Sequence, residues 1–253
     1  MFKRLLAALF LAVLFAPPAY ADVAAPAMQG GFDKGLKAYN AQDWRDAVIL
    51  LRPLADAGDA RAMVLLGNMY ENGYGLVLSH AEAMRLYKRA AIGKNNTAAM
   101  NAVAAMYVDG QGVPADIRTA RAWFRRSALL GDQTGALFYA IILYQGSKNP
   151  RNPAKPHLDK AYKWYKICAA GKQNPGYAKA CARAAAGLAA KFLKKDAVAA
   201  LDKEAASWKP LEAKDLGPPP PDPQTPQAAV KKPSAPTPKR RDTGAIHPYP
   251  VLP

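Results

Sequence analysis

Residues 60–75 and 97–112 carry one pattern twice. ARAMVLLGNMYENGYG is followed, 37 positions later, by TAAMNAVAAMYVDGQG. Met63 recurs as Met100, Met69 as Met106, Tyr70 as Tyr107, Gly73 as Gly110 and Gly75 as Gly112. The downstream half keeps the same offset, with Tyr87-Lys88-Arg89-Ala90-Ala91 over Phe124-Arg125-Arg126-Ser127-Ala128. A fixed period of this length is that of a helix pair stacked on its own copies, because one pair cannot bury its apolar face alone. The expectation is an all-α, right-handed superhelical solenoid with a disordered Pro-rich tail.

The helical period runs on either side of the matched pair. Residues 32–58 read as a shortened first unit, with Leu36 and Tyr39 on one helix and Trp44, Ala47, Val48, Leu51 and Leu54 on the next. Asp43 is the expected N-cap of that second helix, and Pro53 should kink it or end its regular bonding. Further units are expected over 59–93, 96–131 and 133–171. Gly67 and Ala104 keep one slot small so that two helices can approach closely. Gly73 with Gly75, and Gly110 with Gly112, suit turns that need positive φ. Ser79 with Glu82 reads as a capping box and Asp116 as an N-cap. The loop at 146–156 is longer than the glycine turns it replaces. Residues 176–208 read as closing helices, with Trp208 packing back on the last unit.

The two ends differ in composition. Lys3 and Arg4, an apolar run from Leu5 to Phe15, and Ala19-Tyr20-Ala21 read as a secretory signal cleaved after Ala21. That run is too short to span a bilayer, and no later stretch is apolar enough to do so. The expected location is the periplasm, with residues 22–31 flexible. From Pro210 the composition changes, and residues 217–238 are too rich in Pro for helix or sheet, so 210–253 reads as a disordered, locally extended tail. The formal charge of +16 falls to about +14 once Lys3 and Arg4 are removed. Such a charge favours acidic partners, although solubility alone also accounts for it. Export argues against nucleic acid.

These residues resemble the Sel1-like repeat, a variant of the tetratricopeptide helix pair with a longer, glycine-containing connection. Residues 97–131 carry the resemblance best, through Ala104, Tyr107, Gly110, Gly112, Val113, Pro114, Asp116, Ala120, Trp123, Phe124, Arg126, Ala128 and Gly131. In the preceding unit Leu76-Val77-Leu78-Ser79 departs from V-P-x-D, and residues 133–171 lose the paired glycines. The resemblance implies an adaptor that gathers other proteins, often in the cell envelope.

No nucleophile or metal motif accompanies the repeats. S-x-x-K, G-x-S-x-G and H-E-x-x-H are absent from the sequence. His80, His157 and His247 lack a second ligand at helical spacing, so no metal or cofactor is expected. Cys168 and Cys181 fall on neighbouring helices at a separation that suits a disulfide, two buried thiols being the alternative. Solenoid geometry places a protein or peptide partner on the concave face of the first helices, near Asn68, Asn101 and Tyr139. Lys88, Arg125 and Lys166 share one repeat position and form a basic ladder. The ladder suits anionic envelope polymers such as peptidoglycan or acidic lipid, or serves only to solvate the outer helices.

Overall fold

The protein is described by a computed structural model over residues 19–147 and 156–221, and these hold ten α-helices and no strand. In chain order they are α1 (Ala19–Asn40), α2 (Trp44–Asp56), α3 (Ala60–Asn72), α4 (His80–Gly93), α5 (Thr97–Asp109), α6 (Ile117–Leu129), α7 (Gln133–Ser147), α8 (Pro156–Ala170), α9 (Pro175–Phe192) and α10 (Lys195–Ser207). A short 3₁₀ turn follows at Ala213–Asp215. The fold is the all-α solenoid that the period implies.

Each odd-numbered helix from α3 to α9 starts on an Asx side chain, a regularity that sequence reading did not pick out. The carboxylate of Asp59 accepts from the N–H groups of Arg61 and Ala62. Asn96 accepts from Ala99, Asp132 from Gly135 and Asn174 from Tyr177. These caps occupy orphan donors of the first turn and fix where each unit begins. Two expected caps behave differently. Asp43 makes no side-chain cap bond. Ser79 does accept from the Glu82 N–H, but the Glu82 carboxylate turns to Arg85, so only half of the capping box forms. Pro53 neither ends α2 nor halts its last turn, which continues to Asp56.

The glycine turns are nearly superimposable. Gly73 and Gly110 cap α3 and α5 with φ of 72° and 73°, and Gly75 and Gly112 follow at 65° and 68°. The Ser79 N–H donates to the carbonyl of Tyr70, and the Asp116 N–H donates to that of Tyr107. Each turn therefore delivers the chain to its second helix in the same way. A Cβ on Gly67 would lie 2.5 Å from the Tyr87 ring, which explains the small slot.

Helices α1 to α9 pack in sequence, whereas α10 packs on α8, and the odd-numbered helices also touch one another in a row: α1 on α3, α3 on α5, α5 on α7, α7 on α9. Among the even-numbered helices only α8 and α10 make a comparable contact. The odd row is thus the tighter, concave layer, and the even row splays apart outside it. Met63, Met100, Tyr87, Tyr107 and Trp123 are among the side chains buried between the layers.

Helix α1 begins well ahead of Phe32, where the apolar pattern starts, and Phe32 is the first buried side chain among the described residues. At the other end α10 buries no residue fully; Val198, Leu201 and Ala205 pack half-buried on the core, and polar contacts join it to α8. Tyr162 donates to Asp202 at 2.9 Å, Lys163 pairs with Glu204 at 2.8 Å, and Lys166 pairs with Asp202 at 3.0 Å. Burial, then the Asp202 carboxylate, pushes the Tyr162 phenol up to about 12. Trp208 meets Trp164 edge to face, as the sequence leads one to expect.

Gln133 ties the start of α7 to the α8–α9 corner. Its Nε2 donates to the carbonyls of Cys168 and Gly171, and its Oε1 accepts from the Asn174 N–H. Gln133→Leu keeps the volume but orphans these backbone groups, at about 2 kcal/mol of stability. Urea unfolding should show a lower midpoint with an unchanged slope.

Candidate functional site

The splay of the even-numbered row opens a groove between α6 and α8, floored by α7. Asp116 caps α6 by accepting from the Arg118 N–H, and this sets the register of the helix. Arg118, Arg121 and Arg125 then fall at i, i+3 and i+7, on one face. His157 and Lys160 line the opposite side from the N-terminal end of α8. Leu129, Tyr139 and Leu143 supply apolar surface, and the cavity volume is about 520 Å³. Among the described residues five cations line this groove, and no carboxylate does.

The fourth side is the chain itself. Residues 210–221, expected to begin a disordered tail, lie back across α6. The Leu211 N–H donates to the carbonyl of Leu129 at 2.7 Å. Pro210 sits where a Cβ on Gly131 would be, 2.9 Å away. Arg126, only 8% exposed, directs Nη1 at the carbonyls of Leu216, Gly217 and Pro218, at 3.4, 2.8 and 2.9 Å. Its Nη2 donates to Asn95 Oδ1, while its Nε has no partner. Three successive carbonyls can converge on one guanidinium because Gly217 takes a φ of 69°. Pro218 to Pro221 then form a wall of the groove. The expected remainder of the tail, 222–253, lies outside the described residues, as do His247 and the expected leader before Ala19.

Burial draws the Arg126 guanidinium below its usual value. Burial raises the Tyr139 phenol, with the Arg125 and Arg121 charges pulling it partly back.

The residues singled out from the sequence divide. Tyr139 and Arg125 meet in the groove. Asn68 accepts from the Tyr39 hydroxyl, and Asn101 donates to the Asp132 cap at 2.7 Å, so both serve contacts within the stack. Lys88 lies over the Tyr107 ring at 5.5 Å and Lys166 is paired with Asp202. The basic row therefore reaches forward, each member to the following helices. Arg126 and the strap were not recognised as parts of a site. The available signals were the match of Arg126 to Arg89 and the two leucines, Leu211 and Leu216, ahead of a proline run.

Cys168 and Cys181 form a disulfide joining α8 to α9, with Cα atoms 5.9 Å apart. His80 and His157 are far apart in the chain, and no group of metal-ligating side chains occurs among the described residues. No helix among the described residues is long and apolar enough to cross a membrane.

Comparison with known proteins agrees with this architecture. The family model described as Sel1 repeat matches residues 60–95 and 97–132. No curated protein matches the chain. Among solved structures, c5321, a protective antigen present in uropathogenic Escherichia coli strains displaying an SLR fold, is 22% identical with a TM-score of 0.52. The match covers 64% of this chain and 32% of that one, so the chain spans about a third of that protein's length. A Sel1 repeat protein from Oxalobacter formigenes is also 22% identical, with a TM-score of 0.45 over 69% of this chain and 83% of that one. Two consecutive Sel1 repeats, at residues 60–95 and 97–132, are thus set within a stack of like helix pairs.

Proposed function

We propose that the chain is an exported, periplasmic scaffold that docks a segment of a partner protein in the groove between α6 and α8. Sel1-repeat folds generally mediate protein–protein interaction and are typically non-catalytic. The observation that carries the reading is the groove itself: a cavity of about 520 Å³ between two helices of the outer row, open while one extended segment already lies along it. A second reading is a binder of anionic envelope polymers, favoured by the five cations without a carboxylate.

A photoreactive phenylalanine in place of Pro221, which is exposed and lines the groove, tests this in living cells. The control position is Ile92, exposed on α4. A discrete protein adduct is expected from position 221 and not from 92, in periplasmic extract, on a chain beginning at Asp22. No adduct, combined with salt-sensitive cosedimentation with purified sacculi, would replace the scaffold with the polymer binder.

A further inference from the structure

We infer that the partner segment is acidic and extended, and that the chain's own residues 216–221 are the fixed wall against which it lies. This rests on the scaffold reading and names the chemistry of its partner.

Two independent observations point to an anion. The first is the rim: Arg118, Arg121, Arg125 and Lys160 face one cavity from two helices, without a carboxylate among the lining residues. Like charges gathered around low-dielectric walls focus a positive potential that an acidic ligand relieves. The second is Arg126 beneath them, nine-tenths buried with only neutral oxygens as partners: three carbonyls and one amide. A buried cation without a counter-charge is costly, and an anion in the adjoining groove offsets that cost.

The shape selects an extended chain over a membrane surface. The site is a trough between two helices, closed on one side by prolines, and a flat headgroup layer cannot enter it. The strap is a wall rather than a plug, because the cavity persists with the strap seated. Prolines carry no N–H, so Pro218 to Pro221 offer an incoming chain no ladder donors. Recognition therefore falls to side chains, acidic groups meeting the arginines while the ligand's backbone lies against proline rings and Tyr139.

The test uses the full chain and fluorescence anisotropy with fluorescein-labelled decaglutamate, with decaglutamine as control. Decaglutamate should bind, and its affinity should fall steeply with salt. Decaglutamine should not bind. Arg118→Glu with Lys160→Glu, both exposed and both near the N-terminus of a helix, should weaken binding about tenfold or more at unchanged melting temperature. Gly217→Val strains the turn that aims the three carbonyls, yet its Cβ meets nothing within 4 Å. It should weaken decaglutamate several-fold if the strap is the wall. Tighter binding by this variant would make the strap a competitor and overturn that half of the inference. Equal binding of the two peptides, or indifference to charge reversal, would overturn the acidic partner. So would phosphatidylglycerol vesicles that bind through Arg118 and Lys160 while decaglutamate does not. If the peptide fails but the adduct at position 221 survives, the scaffold reading stands with a partner of different chemistry.

Discussion

Gly112→Ala is expected to destabilise the fold by about 3 kcal/mol, since two costs fall on one methyl group. Its φ of 68° lies in the left-handed region, which costs an L-residue about 1–2 kcal/mol. The added Cβ would also stand 2.9 Å from the carbonyl carbon and oxygen of His80, the first residue of α4. Backbone at a helix start cannot swing aside as a flexible side-chain tip can. Gly73→Ala is the control, because its φ is 72° but its nearest neighbour would be the Leu78 Cβ at an ordinary 3.5 Å. That variant should lose only the conformational part, about 1–2 kcal/mol. Denaturant unfolding of the two variants separates the terms. Equal losses would show that close packing of the turn on the preceding unit carries no energy. Gly75 repeats the geometry one unit earlier, its Cβ falling 2.5 Å from that of Trp44 at the start of α2.

Replacing Cys168 and Cys181 together by Ala should remove about 3 kcal/mol, the constraint that a loop of this length places on the unfolded chain. The sequence separation is 13 residues, and both side chains are buried. Wild type unfolded with and without reductant should give a similar difference, which separates the cross-link from the lost sulfur contacts. The loss should be local in hydrogen exchange, with α9 and α10 opening before α3 to α6. This is expected because α8 and α9 hold the end of the stack and α10 adds no buried side chain. An unchanged unfolding midpoint on reduction would mean that packing of Cys181, Ala185 and Leu188 suffices there.

The architecture was legible because a repeat writes its physics twice. One glycine in a loop says little, but Gly73 with Gly110 and Gly75 with Gly112 at one offset imply one turn, and the dihedral angles agree. The small slot at Gly67 was legible for the same reason. The groove was not, because it depends on where the repeat is broken. Arg89 and Arg126 share a position, and Arg89 donates to the carbonyl of Asp56 at the end of α2. Arg126 makes the corresponding reach to Asn95, just past α4, but it also receives the strap. That second role depends on residues some 90 positions away, at 216–218, which no local period connects. The proline content correctly indicated that 217–221 is neither helix nor sheet. It carried no information on docking, because the anchors are backbone carbonyls and one N–H, which every sequence has. Asn68 and Asn101 illustrate the converse: polar residues on inner helices look available until a tyrosine hydroxyl and a helix cap engage them.

The polar attachment of α10 has one more consequence. A row of self-similar faces has no natural length, and an apolar terminal face would invite the start of another molecule to continue the row, head to tail, into a fibre. Helix α10 instead turns exposed Lys195, Asp196 and Lys203 to solvent. Growth by addition over α10 would have to strip water from these charges, so hydration of that helix opposes extension.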